Sequence, residues 1–408
     1  MNILFIHQNF PGQFRHVAPL LACGKQHRVV ALAEQGNLGH GTSLHPNLEV
    51  FGYAFEPNTR PAPHQYLLDY ESHIRRGQQV ASAALQLKRR GFVPDVVIAH
   101  PGWGEALFLA DVFADARHIH HCEFYYQSEG ADVGFDPEFP SDLDAACRVR
   151  IKNSTQLQGL AYCDTGVSPT GWQKSRYPAE FQPKIQVIHE GIDTRVVRPD
   201  NLATFSIEGR TFRQGDELVT YVARNLEPYR GFHTFIRSLP ALQRLRPNAH
   251  ILVVGGDDVS YGRRLPQGQT YRERYRQEVG DRVDWSRVHF VGKLPYAQYL
   301  KVLQVSAAHV YLTYPFVLSW SMLEAMAAGC VLIGSATAPV QEVIKNGENG
   351  LLVDFFSPEE IATRVSDVLS NPKAYVELRL AARETVVRNY DLHTRCLPQW
   401  VRLLQSVV

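Results

Sequence analysis

Two arginines lie where an apolar stretch passes into a predicted helix, within residues 223–232. The positive end of a helix dipole disfavours a cation by about 0.3–1 kcal/mol unless an anion lies beside it, and Arg230 stands at that helix start. Arg224 and Arg230 together are typical of a clamp for a phosphate or diphosphate. The alternative is a solvated arginine pair that has Glu227 as its partner.

A carboxylate occupies the corresponding place after another predicted strand, in residues 314–330. Glu324 is expected on the first turn of a helix, where it can accept hydrogen bonds from the vicinal hydroxyls of a ribose. The turn before it would offer backbone N–H groups to phosphate oxygens. That turn consists of Leu318, Ser319, Trp320 and Ser321. A second, compatible interpretation is that Ser321 and Glu324 form a capping box that starts the helix.

Polar and aromatic residues also follow predicted strands in the first half of the chain. Gly12 and Gln13 lie in a loop that opens a helix, so their amides could approach a diphosphate or an acceptor; the alternative is a tight turn. His100, Trp103 and Glu105 supply an imidazole, an indole face and a carboxylate. Such groups can stack on and hydrogen-bond a sugar, which we favour over a role in packing alone.

Three acidic or histidine-rich patterns resemble binding sites but have simpler readings. Glu129 and Asp132 lie in an acidic, aromatic loop that is suited to hydroxyl-rich groups or is merely solvated. The motif from Asp142 to Asp144 matches a metal-binding D-x-D pattern, yet we predict that it caps a helix. His120 and His121 point to opposite faces of a strand, which makes a shared metal ion unfavourable. We expect no metal site.

Short apolar strands alternate with helical stretches twice along the chain, which predicts an α/β protein with two open parallel sheets. We expect strands at residues 2–7, 27–33, 48–51, 95–100, 118–122, 165–168 and 185–189, then at 218–223, 250–255, 288–292, 310–313, 331–334 and 350–353. Residues 195–216 lack clean periodicity and suit a linker. We therefore predict domains at 1–200 and 201–385, with a final helix in 386–408, and a ligand cleft at the carboxyl ends of the strands.

The composition and net charge of the chain disfavour several classes of protein. The chain has 408 residues, 45% of them hydrophobic, and a net charge of +1 (42 Lys and Arg against 41 Asp and Glu). General disorder and a dedicated nucleic-acid partner are therefore disfavoured. No apolar run reaches the roughly 20 residues that span a bilayer, and the start lacks a basic leader, so cytoplasm is expected. Basic residues at 75–76 and 88–90 allow at most peripheral membrane contact at the inner face.

The motifs resemble those of the family-4 retaining glycosyltransferases of the GT-B fold. The resemblance is carried by the arginine segment, by residues 324–329 (EAMAAG) and by residues 349–353 (NGLLV), in that order. Residues 95–100, 164–168 and 189–193 extend it over most of the chain. It implies two doubly wound Rossmann-like domains that face a cleft, with a C-terminal helix crossing back to the first domain.

The resemblance also implies a reaction. A sugar would pass from a UDP- or GDP-linked donor, held by the C-terminal domain, to a glycan, lipid-linked or small-molecule acceptor held by the N-terminal domain. Arg224 and Arg230 would hold the diphosphate and stabilise the leaving group, Glu324 would bind the ribose, and Lys293 and Leu294 would lie near the base. The fold implies no obligate metal or other cofactor.

The family generally has a histidine close to the reacting sugar, after the strand predicted at residues 118–122. We expect the corresponding residue of this chain at the same place. Register decides which side chain faces the sugar; Glu123 is the first choice, His121 the second, and His120 remains open. If the acceptor attacks from the same face and a donor phosphate oxygen acts as the base, neither Glu123 nor His121 has to be a nucleophile. The resemblance suggests bacterial polysaccharide or glycoconjugate assembly.

The sequence departs from the family at Phe316, which stands where a glutamate usually contacts the donor sugar. The sugar contacts must therefore differ. The alternative function is a catalytically weak scaffold or nucleotide-binding protein of the same fold.

Overall fold

The computed structural model describes residues 1–24, 26–38, 45–56 and 64–407. The chain divides into two compact units. The first comprises Met1–Gly191 together with Leu392–Val408, and the second comprises Ile192–Asp391. Among the described residues, no helix is both long enough and apolar enough to span a bilayer.

The first unit is built on a seven-stranded parallel sheet with the strand order β3-β2-β1-β4-β5-β6-β7. Its strands are β1 (Asn2–Ile6), β2 (Arg28–Glu34), β3 (Leu48–Tyr53), β4 (Val96–Ala99), β5 (Arg117–His121), β6 (Thr165–Ser168) and β7 (Ile185–Val187). Residues 3–6 and 96–99 are buried throughout, as expected for central strands covered by helices on both faces. The carboxyl ends of β1, β4 and β5 are therefore adjacent, and the polar residues after them come together.

Helices cover both faces of this sheet. They are α1 (Val17–Cys23), α2 (Leu67–Arg89), α3 (Leu109–Val112), α4 (Leu143–Lys152), α5 (Ser154–Tyr162) and α6 (Gly171–Ser175). Asn153 separates α4 from α5, and its side chain exchanges two hydrogen bonds with the Tyr126 backbone, at 3.1 and 2.7 Å. Asp142 caps α4 by accepting from the Ala145 amide at 2.8 Å, as predicted.

The C-terminal segment belongs to the first unit. A π-helical turn, Leu392–Cys396, leads into the last helix of the chain, Leu397–Val407. This helix packs into the apolar core that also contains Phe14, which lies in the connection after β1. Its buried residues are Leu397, Trp400, Leu403 and Leu404. This placement agrees with the predicted fold class.

The second unit contains a six-stranded parallel sheet with the order β12-β11-β10-β13-β14-β15. Its strands are β10 (Leu218–Asn225), β11 (His250–Gly256), β12 (Val288–Gly292), β13 (Ala308–Tyr311), β14 (Leu332–Ser335) and β15 (Leu351–Val353). Its helices are α7 (Phe232–Leu245), α8 (Tyr271–Val279), α9 (Tyr296–Val305), α10 (Trp320–Ala327), α11 (Ala338–Gln341), α12 (Pro358–Ser370) and α13 (Val376–Tyr390), so the last helix of the chain is α14. The two Rossmann-like sheets confirm the predicted α/β class.

The predicted linker at residues 195–216 is wrong in part, because it contains a β-hairpin. Strands β8 (Thr204–Ile207) and β9 (Arg210–Arg213) pair antiparallel around a turn at Glu208 and Gly209, which have φ values of 51° and 75°. Phe205 and Phe212 are directly opposite one another and buried in the second unit's core. Each strand buries a single aromatic side chain, which is too little to produce a visible alternation in the sequence.

Candidate active site

Arg230 is a buried cation at the carboxyl edge of the second sheet. It ends the single 3-10 turn Pro228–Arg230 between β10 and α7, and only 8% of it is exposed. Its Nη1 donates to Thr313 Oγ1 at 2.8 Å, to the Val317 carbonyl oxygen at 3.0 Å and to the Tyr311 hydroxyl at 3.3 Å. All three acceptors are neutral. No carboxylate of the described residues forms an ion pair with this guanidinium, which is therefore available to an anion.

Aromatic rings surround the same guanidinium. Its carbon lies 5.3 Å from the centre of the Tyr261 ring and 5.8 Å from that of Phe316. Tyr229 meets Phe316 edge-to-face at 5.5 Å and lies 4.7 Å from Tyr314. Phe316 is 3% exposed, so it packs inside this aromatic cluster, where a negative ring face favours the charged Arg230.

The two residues expected beside Arg230 differ in their surroundings. Arg224, in the last part of β10, is exposed and has no hydrogen-bond or ion-pair partner in the described part of the chain. Glu227 is fully buried, and its carboxylate accepts from the amides of Ser260, Tyr261 and Gly262 at 2.9, 3.1 and 2.8 Å. The structure differs from the alternative of a solvated arginine pair with Glu227 as its partner. Arg230 is buried, and Glu227 is hydrogen-bonded to backbone amides while its charge stays within electrostatic range of Arg230.

Glu324 lies in the middle of α10 and is buried, with 9% exposure. Its Oε1 accepts from the Tyr296 hydroxyl and its Oε2 from the Tyr299 hydroxyl, both at 2.7 Å. A carboxylate has about four acceptor sites, so capacity remains for hydroxyls of a ligand. The capping-box alternative is wrong: the N-cap is Ser319, whose Oγ accepts from the Ser321 amide at 3.3 Å.

The turn before α10 makes hydrogen bonds and apolar contacts within the protein. The amides of Ser319 and Ser321 donate to the Tyr311 hydroxyl and to Ser319 Oγ, and the Leu318 side chain is buried in the core. Trp320 is half-buried and begins the helix. The free amides expected at Ser319 and Ser321 are therefore a wrong prediction, because hydroxyl groups nearby satisfy them.

Lys293 and Leu294 follow β12 at the same sheet edge. Lys293 is exposed, and a Cβ built on Gly256 would lie 2.5 Å from its Cε, so the lysine crosses the end of β11 closely. Leu294 is half-buried against the apolar core. Of this pair, only Lys293 presents a free polar group.

A polar cluster occupies the carboxyl edge of the first sheet, with Glu123 at its centre. The Glu123 carboxylate accepts from Gln13 Nε2 at 2.7 Å and lies 3.3 Å from His100 Nε2. Burial alone would raise the pKa of Glu123, but the hydrogen bond and charge of His100, with His121 and Gln13, lower it to about 2. Glu123 is thus held ionised and oriented.

The histidines of this cluster have defined tautomers. His7 Nδ1 accepts from the Asn9 amide at 3.0 Å, so its Nε2 carries the proton that is donated to Gln13 Oε1 at 2.7 Å. His100 Nδ1 accepts from the Gly102 amide at 3.1 Å, which leaves the Nε2 proton for Glu123. Burial lowers the pKa of His7 to about 3, with a smaller contribution from His100. His7 is therefore a neutral donor that orients Gln13, whose amide in turn donates to Glu123.

Trp103 and Gly12 border the cluster. The indole stacks on His100 at 4.1 Å with an interplanar angle of 20° and meets His7 at 5.3 Å. Gly12 has a φ of 45°, and a Cβ there would lie 2.4 Å from the His7 ring. Glycine is therefore required at position 12 for the loop to pass over His7.

The register of β5 places His121 on the cluster side and His120 on the opposite side. His121 Nε2 lies 3.3 Å from Glu190 Oε1, and the His121 ring lies 5.6 Å from that of His100. The His120 ring instead lies 5.2 Å from that of Tyr162 in α5. His121 and Glu123 are therefore the members of this segment that the fold brings together.

Three other predicted acceptor residues lie outside this group. Glu105 is fully buried and accepts from the Tyr53 hydroxyl at 3.1 Å, and burial raises its pKa to about 7. It has no surface for an acceptor, and we assign it a structural role. Glu129 is exposed, whereas Asp132 is 3% exposed and within electrostatic range of Lys152.

Several residues of these clusters were not predicted from the sequence. They are His7, Tyr261, Tyr296, Tyr299 and Thr313. For Gln13 the prediction concerned the backbone amide and not the side chain that holds Glu123. A usable signal existed for Tyr296 and Tyr299, which are three residues apart and so share one face of a helix that follows a strand. The others lie in loops, where no periodicity marks them.

Family models match both halves of the chain. Residues 25–197 match a model described as a glycosyl transferase family 4 group, and residues 204–385 match one described as glycosyl transferases group 1. The chain belongs to the family-4 glycosyltransferases of the GT-B type. The expectation drawn from the arginine, glutamate and glycine motifs is thereby confirmed at the level of the family.

Several relatives of this glycosyltransferase are characterised. A GDP-mannose-dependent alpha-(1-6)-phosphatidylinositol monomannoside mannosyltransferase of Mycolicibacterium smegmatis is 25% identical over 240 residues, 55% of this chain and 58% of the relative. The match thus spans little more than half of that relative's length. A glycogen synthase of Mycobacterium tuberculosis is 28% identical over 420 residues, 97% of this chain and 92% of the relative.

Two solved structures have the same fold over their whole length. Sucrose-phosphate synthase of Thermosynechococcus elongatus has a TM-score of 0.73 at 18% identity, with both chains covered completely. Anabaena HepE in complex with UDP has a TM-score of 0.70 at 15% identity, again with complete coverage of both. At these identities the likeness concerns the fold alone.

Proposed function

We propose that this chain transfers a sugar from a nucleotide-sugar donor to an acceptor with retention of anomeric configuration. The observation that carries the proposal is the state of Arg230, a buried guanidinium whose hydrogen bonds go only to neutral oxygens. A buried charge without a direct ion pair is costly, by several kcal/mol per ion in order of magnitude. A donor diphosphate would supply that partner, and the exposed Arg224 would add a second cation.

Charge development explains why such a clamp would be catalytic. Negative charge grows on the diphosphate as the glycosidic bond breaks, so fixed cations stabilise the transition state more than the ground state. Glu324 would accept from the ribose hydroxyls while Tyr296 and Tyr299 hold its carboxylate in place. The two arginines supply the positive charge for the leaving group, so we propose that no metal is obligatory.

The first unit would supply the acceptor side. Glu123 is ionised and oriented by Gln13 and His100, and Trp103 offers an indole face beside it. We propose that these residues, with His121, orient the acceptor hydroxyl and the transferring sugar. Attack from the same face, with a donor phosphate oxygen taking the hydroxyl proton, would retain configuration without a covalent nucleophile. Glu129 would lie at the edge of the acceptor site, and Lys293 would lie near the base of the donor nucleotide.

The chemistry of the relatives guides the choice of donor. Curated relatives are described as using GDP-mannose, and HepE structures contain UDP or UDP-glucose. We therefore propose a UDP- or GDP-linked hexose as donor and a glycan, a lipid-linked sugar or a small molecule as acceptor, in bacterial polysaccharide or glycoconjugate assembly.

The test is a thermal-shift and donor-hydrolysis panel of UDP, GDP, ADP and dTDP sugars. A ligand that binds the native state raises the apparent stability by RT ln(1 + [L]/Kd), about 2.7 kcal/mol at a hundredfold excess over Kd. We expect one donor to stand out, and we expect the Arg224→Ala variant to lose most of its shift. Arg244→Ala, an exposed arginine at the far end of α7, is the matched control.

The second candidate is a nucleotide-binding protein with little catalytic power, which the burial of Phe316 favours. A phenylalanine in this aromatic cluster cannot hydrogen-bond a sugar. This candidate predicts a thermal shift with nucleotides but no hydrolysis or transfer from any donor, with or without glycan acceptors. A shift together with steady turnover would exclude it.

A further inference from the structure

The loop after β11 is held by an internal carboxylate. Glu227 receives the amides of three consecutive residues, Ser260, Tyr261 and Gly262, and its carboxylate is completely buried. Successive N–H groups that converge in this way form a concave anion-binding nest. Asn225 adds a second tie, because its Nδ2 donates to Ser260 Oγ at 2.8 Å. The end of β10 therefore dictates the path of a loop that is remote in sequence.

The loop in turn sets one aromatic ring against the candidate diphosphate clamp. Tyr261 is 38% exposed, its ring is 5.3 Å from the guanidinium carbon of Arg230, and it lies 4.9 Å from Phe316. An exposed tyrosine would have many rotamers and positions if its backbone were free. Its backbone amide is instead bonded directly to Glu227.

The choice of partner for Glu227 also affects Arg230. The two residues are three positions apart, and no direct ion pair joins them, although the Glu227 charge is within electrostatic range of the guanidinium. The carboxylate accepts from backbone amides instead. One side chain thus orders the loop without using the N–H groups of Arg230.

We propose that Glu227 is a positioning residue of the donor site, which fixes Tyr261 beside Arg230 through the amides of residues 260–262. The proposal rests on the proposed function, because it assigns the positioned group to a nucleotide diphosphate. Tyr261 would cover the clamp once the diphosphate is bound, and Glu227 would act without touching the donor.

The first measurement follows the loop without any activity. In Glu227→Gln, the amide nitrogen of the new side chain opposes the Ser260 N–H, so at least one of the three bonds is lost. We expect trypsin to cleave at Arg263 and Arg264, which are exposed in this loop, at least tenfold faster than in the wild type. Peptide mass spectrometry identifies the cut. Unchanged cleavage would overturn the proposed anchoring.

The second measurement couples the loop to ligand binding. By calorimetry with UDP and GDP, we expect Glu227→Gln and Tyr261→Ala each to weaken the preferred nucleotide at least tenfold. The double variant should be no weaker than either single variant, because both changes remove the same positioned ring. Additive losses, or undiminished affinity in Glu227→Gln, would refute the positioning role. Tyr261→Ala alters an exposed side chain, so the ligand test survives even if Glu227→Gln does not fold.

The matched control loosens the other end of the same loop. Thr270 Oγ1 accepts from the Glu273 amide at 3.1 Å and caps α8, eight residues after Gly262. We expect Thr270→Ala to keep nucleotide affinity within twofold of the wild type, and an equal loss in this variant would refute a specific role for Glu227. If the wild type itself binds neither UDP nor GDP, the proposed function fails along with this inference. Wild-type binding that is insensitive to Glu227 overturns the inference alone.

Discussion

Replacement of Arg230 by alanine should abolish most of the transferase activity while leaving the fold nearly as stable. The Nη1 atom is committed to Thr313, Val317 and Tyr311, so a diphosphate would meet the remaining edge of the guanidinium, Nε and Nη2. Two charge-assisted hydrogen bonds there would contribute roughly 3–6 kcal/mol in total, at about 1.5–3 kcal/mol each. At 1.36 kcal/mol per decade, kcat/KM should fall by about two to four orders of magnitude.

The effect on stability should be small because two contributions oppose each other. The alanine variant leaves the Thr313 hydroxyl and the Val317 carbonyl without this donor, at about 1–3 kcal/mol for each buried group left unpaired, whereas the Tyr311 hydroxyl still accepts from the Ser319 amide. It also removes a buried guanidinium that makes no direct ion pair, which is favourable by a similar order. Arg230→Lys keeps the charge but not the planar fork, so we expect an intermediate loss of activity.

The assay is steady-state transfer or donor hydrolysis with the preferred nucleotide sugar, together with thermal unfolding in the absence of ligand. Arg244→Ala, on the helix that follows Arg230, serves as the control. If Arg230→Ala retains activity within threefold of the wild type, the clamp is refuted. If the variant unfolds more than about 10 °C below the wild type, Arg230 holds the fold together and the reasoning about opposing contributions is wrong.

Three further changes test other parts of the molecule. Glu123→Gln removes an ionised carboxylate but keeps its shape, so we expect kcat to fall at least a hundredfold with donor KM within threefold; an unchanged kcat would remove Glu123 from the site. Tyr299→Phe deletes one of two hydrogen bonds to the Glu324 carboxylate, so nucleotide Kd, measured by calorimetry, should rise several-fold, whereas an unchanged Kd would separate Glu324 from the ribose. Burial lowers the pKa of His309 to about 3, so this histidine stays neutral in the fold and takes up a proton on unfolding below its ordinary value of 6.5. Its contribution to stability is thus present above pH 6.5 and lost as the pH falls toward 3, by up to about 1.4 kcal/mol per pH unit. The free energy of unfolding can be measured with urea at several pH values. Its dependence on pH should be weaker by about one proton in His309→Gln than in the wild type, and an unaltered dependence would contradict this.

The strands of both sheets were predictable because each is a short run of apolar residues bounded by polar ones. The largest displacement is β13, expected at 310–313 and found at Ala308–Tyr311. The β8–β9 hairpin was not predictable, because its stability comes from the Phe205–Phe212 pair packing on residues far along the chain.

The sequence indicated which charged residues to consider but not which atoms they bond to. The position of Arg230 at a helix start predicted a role in anion binding, and Glu227 was the partner in the alternative interpretation because the two are close along the chain. The real partners of Glu227 are amides more than thirty residues away, which only the fold brings near. Glu105 was misassigned for a related reason: Tyr53, which buries and bonds it, lies on a different strand.

The return of the chain to its first unit has a consequence for synthesis. The chain leaves that unit at Gly191 and re-enters it at Leu392. During translation the second sheet therefore has all its residues, and can close its core, while the first still lacks Trp400, Leu403 and Leu404. The apolar groove that awaits them stays open to solvent and to chaperones until then. Premature termination after residue 391 would yield a finished second unit joined to an unfinished first one.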